Sequence, residues 1–292
     1  MKDYMQYYAG SLTNVNKNEY EKFLQEANDI MRAKRLEKLH ISVEPTLISK
    51  ELLQILKRYN VITVELEVKI ANDFILKKYK AGFTSDEIKK ASKMIKHSRM
   101  NLGYQLMVGF PDSTKIDEQD SAKQLIKYRP NLVRIYPVLV IEGTELATEY
   151  ENNEYQPLTL AQAIERCKEL IYIFNKKKIK AITVGSVSET NMKKEEKNEI
   201  KVLAGPTHQA FAQLVEDSIW YDSIVGKIKK FNSKAKEIKI EVHPSNVNNV
   251  IGYEKGNAKK IEELYSVEIK VIPNEKIKPG RLEMKILTIY ED

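Results

Sequence analysis

Apolar positions in this chain alternate between two rhythms. Tyr20, Phe23, Leu24, Ala27, Ile30 and Met31 recur at helical spacing, so a helix is expected over about 16–34, with Asn16 or Asn18 as its cap. The run 39–43, closed by Glu44 and Pro45, reads as a strand, and 61–68 alternates and runs largely apolar like a buried strand. The same switch of period continues. Strands are expected at 4–8, 39–43, 61–68, 102–108, 132–136 and 179–184, and helices at 51–59 behind Ser49, 71–79, 84–97, between the 102–108 and 132–136 strands, 159–175 and 208–231. The stretch 102–144 is central to this order: a buried strand ends in Gly109, Phe110 and Pro111, a helix follows, and a second apolar strand carries Arg134 and Tyr136. Six strands alternating with helices predict an α/β fold, a partial parallel (β/α) barrel, whose functional loops follow the strands.

The pattern changes twice towards the C-terminus. Residues 188–200 are charged and aperiodic and read as a solvated loop. Residues 232–292 read as a separate small α+β domain, with strands at 237–242, 267–272 and 282–289, a helical turn at 246–250, a loop from Gly252 to Gly256 and a helix over 257–265. The domain boundaries expected are therefore 1–231 and 232–292.

At 292 residues the chain is long enough for one large domain and one small one. The net charge of +7 comes from 48 basic against 41 acidic residues, a mild bias towards polyanionic partners. Residues 226–292 hold 14 basic and 10 acidic side chains. The sole cysteine, Cys167, lies in a helical pattern and cannot form a disulfide within the chain, which fits a cytoplasmic protein. No run is long and apolar enough for a membrane span, and no membrane partner is expected.

Several phrases in order, LGYQLMVGFP, RIYPVLVIEGTEL, EYQPLTLAQAIERCKELIYIF and VLAGPTHQAFAQLVEDSIWYD, are similar to the radical S-adenosylmethionine proteins related to the catalytic subunit of Elongator, in the bacterial branch without an acetyltransferase domain. The resemblance spans roughly 4–225 and implies a radical-SAM-type barrel, S-adenosylmethionine and a [4Fe–4S] cluster as cofactors, and tRNA as substrate. It assigns Gly10, Ser11, Thr13, Gln105, Arg134, Tyr136 and His208 to the barrel mouth. The departures lie at that same mouth. The family's three cluster cysteines sit in a loop after its first strand, whereas residues 4–13 here match its second, where the family reads YGGSFT. Ala9 and Gly10 replace Gly-Gly. Ser42, Val43, Glu44, Pro45 and Thr46 replace Ser-Thr-Arg-Pro-Asp, and Glu65, Leu66, Glu67, Val68, Lys69 and Ile70 replace Glu-Leu-Gly-Val-Gln-Ser. Val184, Gly185, Ser186 and Val187 stand at the terminus after the seventh strand.

VIGYEKGNAKKIEELYSVEIKV resembles the core of a KH-type RNA-binding module, whose Gly-x-x-Gly loop clamps a nucleotide backbone. Here three residues, not two, separate the glycines. The resemblance points to Gly252, Tyr253, Lys255, Gly256, Lys259 and Lys260 as nucleic-acid contacts.

Other chemistry is sparse. His40, His97, His208 and His243 show no metal-ligand spacing, and neither a phosphate-binding Gly-rich loop nor a Gly-x-Ser-x-Gly turn is present, so no metal site and no catalytic residue are assigned. Glu142 and Glu145 read as surface carboxylates. Arg134 and Tyr136 share a strand face, and a buried Arg134 needs an acidic partner, for which Glu65 or Glu67 on a neighbouring strand would serve. The sequence thus predicts a non-catalytic radical-SAM-like protein, with no cofactor, that binds tRNA, rRNA or a protein partner. The alternative is a tRNA-modifying radical enzyme whose cysteine loop is absent from this sequence.

Overall fold

The structure, a computed structural model, describes residues 6–36, 38–183, 201–230 and 235–289. The charged stretch 188–200 and the terminus 184–187 lie outside the described residues. The chain divides into two compact units, Met1–Gln209 and Ala210–Asp292.

The first unit is built on a parallel sheet with strands in sequence order: β1 (Gln6–Ser11), β2 (Lys38–Val43), β3 (Val61–Lys69), β4 (Asn101–Val108), β5 (Leu132–Pro137) and β7 (Lys180–Thr183). Helices α1 (Tyr20–Ala33), α2 (Lys50–Arg58), α3 (Asp73–Lys78), α4 (Ser85–His97), α5 (Lys115–Ile126), α6 (Glu145–Glu151) and α7 (Leu160–Asn175) occupy the connections. Among the described residues β1 and β7 are edge strands, so the sheet is a partial barrel as the periodicity predicts. Neighbouring strands run parallel in register, Ser42 beside Glu65, Glu65 beside Gly103, and Gln105 beside Arg134.

Local chemistry sets the helix starts. Ser49 accepts the Leu52 amide, Asn72 accepts from Phe74 and Ile75, and Thr84, Thr114 and Thr159 form capping boxes with Glu87, Asp117 and Gln162. One sheet face is apolar and fully buried: Leu39, Ile41, Val64, Leu66, Leu102, Leu106, Val133 and Ile135 are each at most 2% exposed. Burial of this face is the main driving force for the unit. Tyr104 belongs to it and bonds Ser92 of α4, the two hydroxyl oxygens being 2.6 Å apart. The alternate positions along the same strands are polar and point to the opposite side, where the site lies.

Two small elements were not expected. The two-residue strand β6 (Val140–Ile141) pairs antiparallel with β8 (Val202–Ala204), and glycine suits position 205 because its φ is +124° and a Cβ there would stand 3.1 Å from the Val138 carbonyl oxygen. Strand β1 also runs on through Ala9 and Gly10 to Ser11, beyond the 4–8 expected.

The second unit comprises α8 (Phe211–Ile228), β9 (Ala235–Val242), α9 (Val247–Ile251), α10 (Gly256–Tyr265), β10 (Glu268–Pro273) and β11 (Leu282–Ile289). Its sheet order is β10-β9-β11, with β9 and β10 parallel and β11 antiparallel. The boundary expected after residue 231 moves to Gln209/Ala210. The reason is packing: Trp220, Ile224, Val225 and Ile228 of α8 share one core with Ile238, Ile240, Val242, Val250, Ile261 and Val267.

Candidate functional site

The polar face of the parallel sheet carries a continuous hydrogen-bonded set. Glu65 of β3 is completely buried, and Arg134 of β5 donates through Nε to both its oxygens, at 2.9 and 2.7 Å. Gln105 of β4 donates through Nε2 to Glu65 at 3.2 Å and to the Tyr8 hydroxyl at 3.1 Å. Tyr8 in turn lies 2.8 Å from Ser42 Oγ, and Ser42 donates to Glu67 Oε1 at 2.5 Å. Thr13 donates to the other oxygen of Glu67 at 3.1 Å and accepts the Glu44 amide at 3.0 Å. The Arg134 guanidinium also sits 4.8 Å from the Tyr8 ring centre.

This arrangement depends on Gly103. Arg134 and Glu65 are two strands apart, and β4 runs between them. A Cβ at Gly103 would come within 2.6 Å of Glu65 Cγ, so only glycine leaves the lane through which the two side chains meet. The expected ion pair is present, and Glu65 rather than Glu67 is the partner.

Burial and charge both act on these groups. Arg134 is held above its ordinary pKa: burial lowers it, but the Glu65 carboxylate outweighs that loss. Burial pushes the Tyr8 and Tyr136 hydroxyls up, with the nearby carboxylates adding to the effect. At the strand ends, burial raises the Glu44 carboxyl; Lys69 opposes this and Glu67 adds to it. His40, 5% exposed, lies 3.7 Å from Glu65 through Nδ1, and neither ring nitrogen has a hydrogen-bond partner.

The turn after β4 is clamped separately. The Gly109 amide donates to Glu118 of α5 at 2.7 Å, Arg166 of α7 donates to the same carboxylate at 2.8 Å, and Tyr155 donates to the Gly109 carbonyl at 2.8 Å. Sequence reasoning missed both Glu118 and Arg166, because their helical spacing marks them as ordinary polar positions.

Of the residues assigned to the mouth, Thr13, Gln105 and Arg134 belong to the bonded set. Gly10 provides a φ of +113° at the irregularity in β1, and Ser11 accepts the Thr13 amide at 3.0 Å. Tyr136 lies on the same face as Arg134, and His208 lies in the 205–210 turn after β8. Glu142 pairs with Lys201 at 2.6 Å, and Glu145 begins α6.

In the second unit the loop between α9 and α10 holds the nucleic-acid candidates. Gly252, Glu254 and Lys255 have φ of +81°, +51° and +62°. Lys255, Gly256, Lys259 and Lys260 are exposed and Tyr253 half-buried. Lys260 Nζ stands 4.5 Å over the Tyr221 ring, so its charge is already engaged.

Residues 9–125 match the Radical SAM superfamily, and residues 130–221 match the Radical_SAM C-terminal domain. Over 119 residues the chain is 37% identical to the tRNA uridine(34) acetyltransferase of Methanocaldococcus jannaschii, covering 40% of this chain and 22% of that protein. Over 155 residues it is 36% identical to the tRNA uridine(34) acetyltransferase of Methanocaldococcus infernus, covering 51% and 29%. The chain thus spans less than a third of these relatives. The solved archaeal Elp3 of Methanocaldococcus infernus with an N-terminal deletion shares the fold, with a TM-score of 0.57, 24% identity and coverage of 70% of this chain and 49% of that one.

A radical SAM fold implies an iron–sulfur cluster and S-adenosylmethionine. The cluster requires three thiolates. Cys167, the sole cysteine of this sequence, is fully buried in α7, where burial pushes its thiol far up. Among the described residues no group of three or more His, Cys, Asp or Glu side chains is placed to hold a metal ion. The residues of this chain therefore do not fit the cluster. At the strand ends Glu44 also stands where the resemblance expects a basic side chain near the cofactor's carboxylate, and Glu67 where it expects glycine. No helix among the described residues is long and apolar enough to cross a membrane.

Proposed function

We propose that this chain, which carries both radical SAM domains in order, acts in the cytoplasm as a tRNA-binding protein that does no radical chemistry with its own residues. The observation that carries this reading is the polar face of the sheet. Its buried carboxylate Glu65 is satisfied by Arg134 and Gln105, and Glu67 by Ser42 and Thr13, while the sole thiol lies in a helix core. A polar set whose two carboxylates are satisfied by its own members holds a scaffold rigid without a cofactor. Support for RNA comes from the relatives, which are named for uridine 34 of tRNA, and from the KH-like loop with exposed Lys255 and Lys259.

Filter binding of tRNA at two salt concentrations tests this. Affinity is expected to fall steeply with salt, and the double variant Lys255→Glu, Lys259→Glu to weaken binding at low salt by about tenfold or more. Lys260 is left intact because reversing it also breaks its contact with Tyr221. No binding by the wild type at low salt, or equal binding by the double variant, rejects the proposal.

A second reading, a tRNA-modifying radical enzyme whose cluster cysteines lie outside this sequence, is favoured by the two domain matches. Anaerobic reconstitution of the native gene product with iron and sulfide, followed by metal analysis, separates the two.

A further inference from the structure

The loop 252–256 is costly to hold. Glu254 and Lys255 are consecutive non-glycine residues in the left-handed region, and each such residue costs on the order of 1 kcal/mol. The extra residue between the glycines is accommodated there. The loop's closing bonds, Lys255 to the Gly252 carbonyl at 2.9 Å and the Gly256 cap to Tyr253, lie within the loop itself. Its anchor comes from α8. Asp217, 3% exposed, accepts the Tyr253 amide at Oδ2 at 2.7 Å and Asn249 Nδ2 at Oδ1 at 3.1 Å. Asn257 then ties the two ends together, donating to the Asp217 carbonyl at 2.8 Å and the Asn249 carbonyl at 3.0 Å. Gly252 is required beside it, since a Cβ would stand 2.7 Å from the Asn257 nitrogen.

We propose that Asp217 is a positioning residue for nucleic-acid binding: its buried carboxylate fixes the left-handed loop and so presents Lys255 to a phosphate backbone. This rests on the tRNA-binding reading of the same loop. A loop held in its bound shape binds without first paying to order itself, so releasing the anchor lowers affinity by the fraction of time the loop spends out of place. Asp217 touches no ligand itself and acts through the Tyr253 amide and the Asn249 side chain that its carboxylate holds.

The test compares the full chain with its Asp217→Leu and Asp217→Asn variants. Leucine keeps the branching at Cγ and removes both acceptor oxygens. Asparagine restores them in effect, because its amide and that of Asn249 can turn so that an oxygen again faces Tyr253 and each amide group finds a partner. Hydrogen exchange at the Tyr253 amide is expected to quicken at least about tenfold in Asp217→Leu and to stay near wild type in Asp217→Asn, with β9 amides unchanged in both. The Kd for tRNA is expected to rise about tenfold in Asp217→Leu and to recover in Asp217→Asn. Adding Lys255→Glu should then cost much less in the leucine background than in wild type. Should Asp217→Leu fail to fold, Asn249→Ala weakens the same anchor and is expected to give a smaller change in the same direction in both readouts. Unchanged exchange at Tyr253, or a full Lys255→Glu effect in the leucine background, overturns the proposal. If the wild type binds no tRNA, the functional reading fails on its own, and exchange at Tyr253 still decides whether Asp217 holds the loop.

Discussion

At the scale of single residues, the ion pair between Glu65 and Arg134 shows what sequence can and cannot resolve. Alternation along β5 places Arg134 on one face with Tyr136, and the cost of burying a guanidinium demands a carboxylate from a neighbouring strand. Those arguments leave Glu65 and Glu67 equivalent. The choice is made by Gly103, since the partner of Arg134 must be the carboxylate that can cross β4 where no side chain intervenes. A glycine inside the apolar run 102–108 was the available signal. Because Glu65 is wholly enclosed, Arg134→Met leaves a buried charge without its cation, and urea unfolding is expected to show a loss of about 3–5 kcal/mol. Glu65→Gln in the same background removes the charge and should recover most of that loss. If the single variant is as stable as wild type, the pair contributes nothing to the fold.

At the scale of elements, the helices that sequence places well are those whose starts are set within the chain itself. Ser49, Thr84, Thr114 and Thr159 cap their own first turns, so a local pattern suffices. Strand β6 and strand β8 were illegible for the opposite reason: they are two and three residues long and exist through their pairing with each other. The clamp on Gly109 likewise joins β4, α5 and α7, three elements with no sequence signal linking them. Its pH dependence follows from Glu118, whose carboxyl burial raises more than the Gly109 amide and Arg166 lower it. The folded chain therefore holds this proton more tightly than the unfolded chain does. Its contribution to stability is fully present below the ordinary glutamate pKa of about 4.3 and is lost as pH climbs through the raised folded value. Urea midpoints measured across that range should fall less steeply in Glu118→Gln than in wild type. Parallel profiles would mean that another group carries the dependence.

At the scale of the whole chain, the order of strands and helices was legible because six repeats of one alternation reinforce each other, but the division between units was not. Helix α8 follows the last strand of the first unit in sequence and carries buried residues along its full length, from Phe211 to Ile228, so its pattern does not say which unit it serves. Charge does not reveal it either: 14 basic and 13 acidic residues in 210–292 nearly cancel, because Glu216, Asp217 and Asp222 of α8 offset most of the lysine excess that 226–292 shows. Packing decides the matter, and it makes a definite demand on any shorter version of the second unit. Trp220, Ile224, Val225 and Ile228 are all buried in its core, and losing four such side chains removes about 6–12 kcal/mol of burial, comparable to the roughly 5–15 kcal/mol that holds an ordinary domain together. A fragment of residues 210–292 is therefore expected to unfold in one cooperative transition. A fragment of residues 232–292, cut where the periodicity alone suggests, should show no such transition by circular dichroism in urea. Cooperative unfolding of the shorter fragment would mean that α8 packs on this sheet without being needed by it.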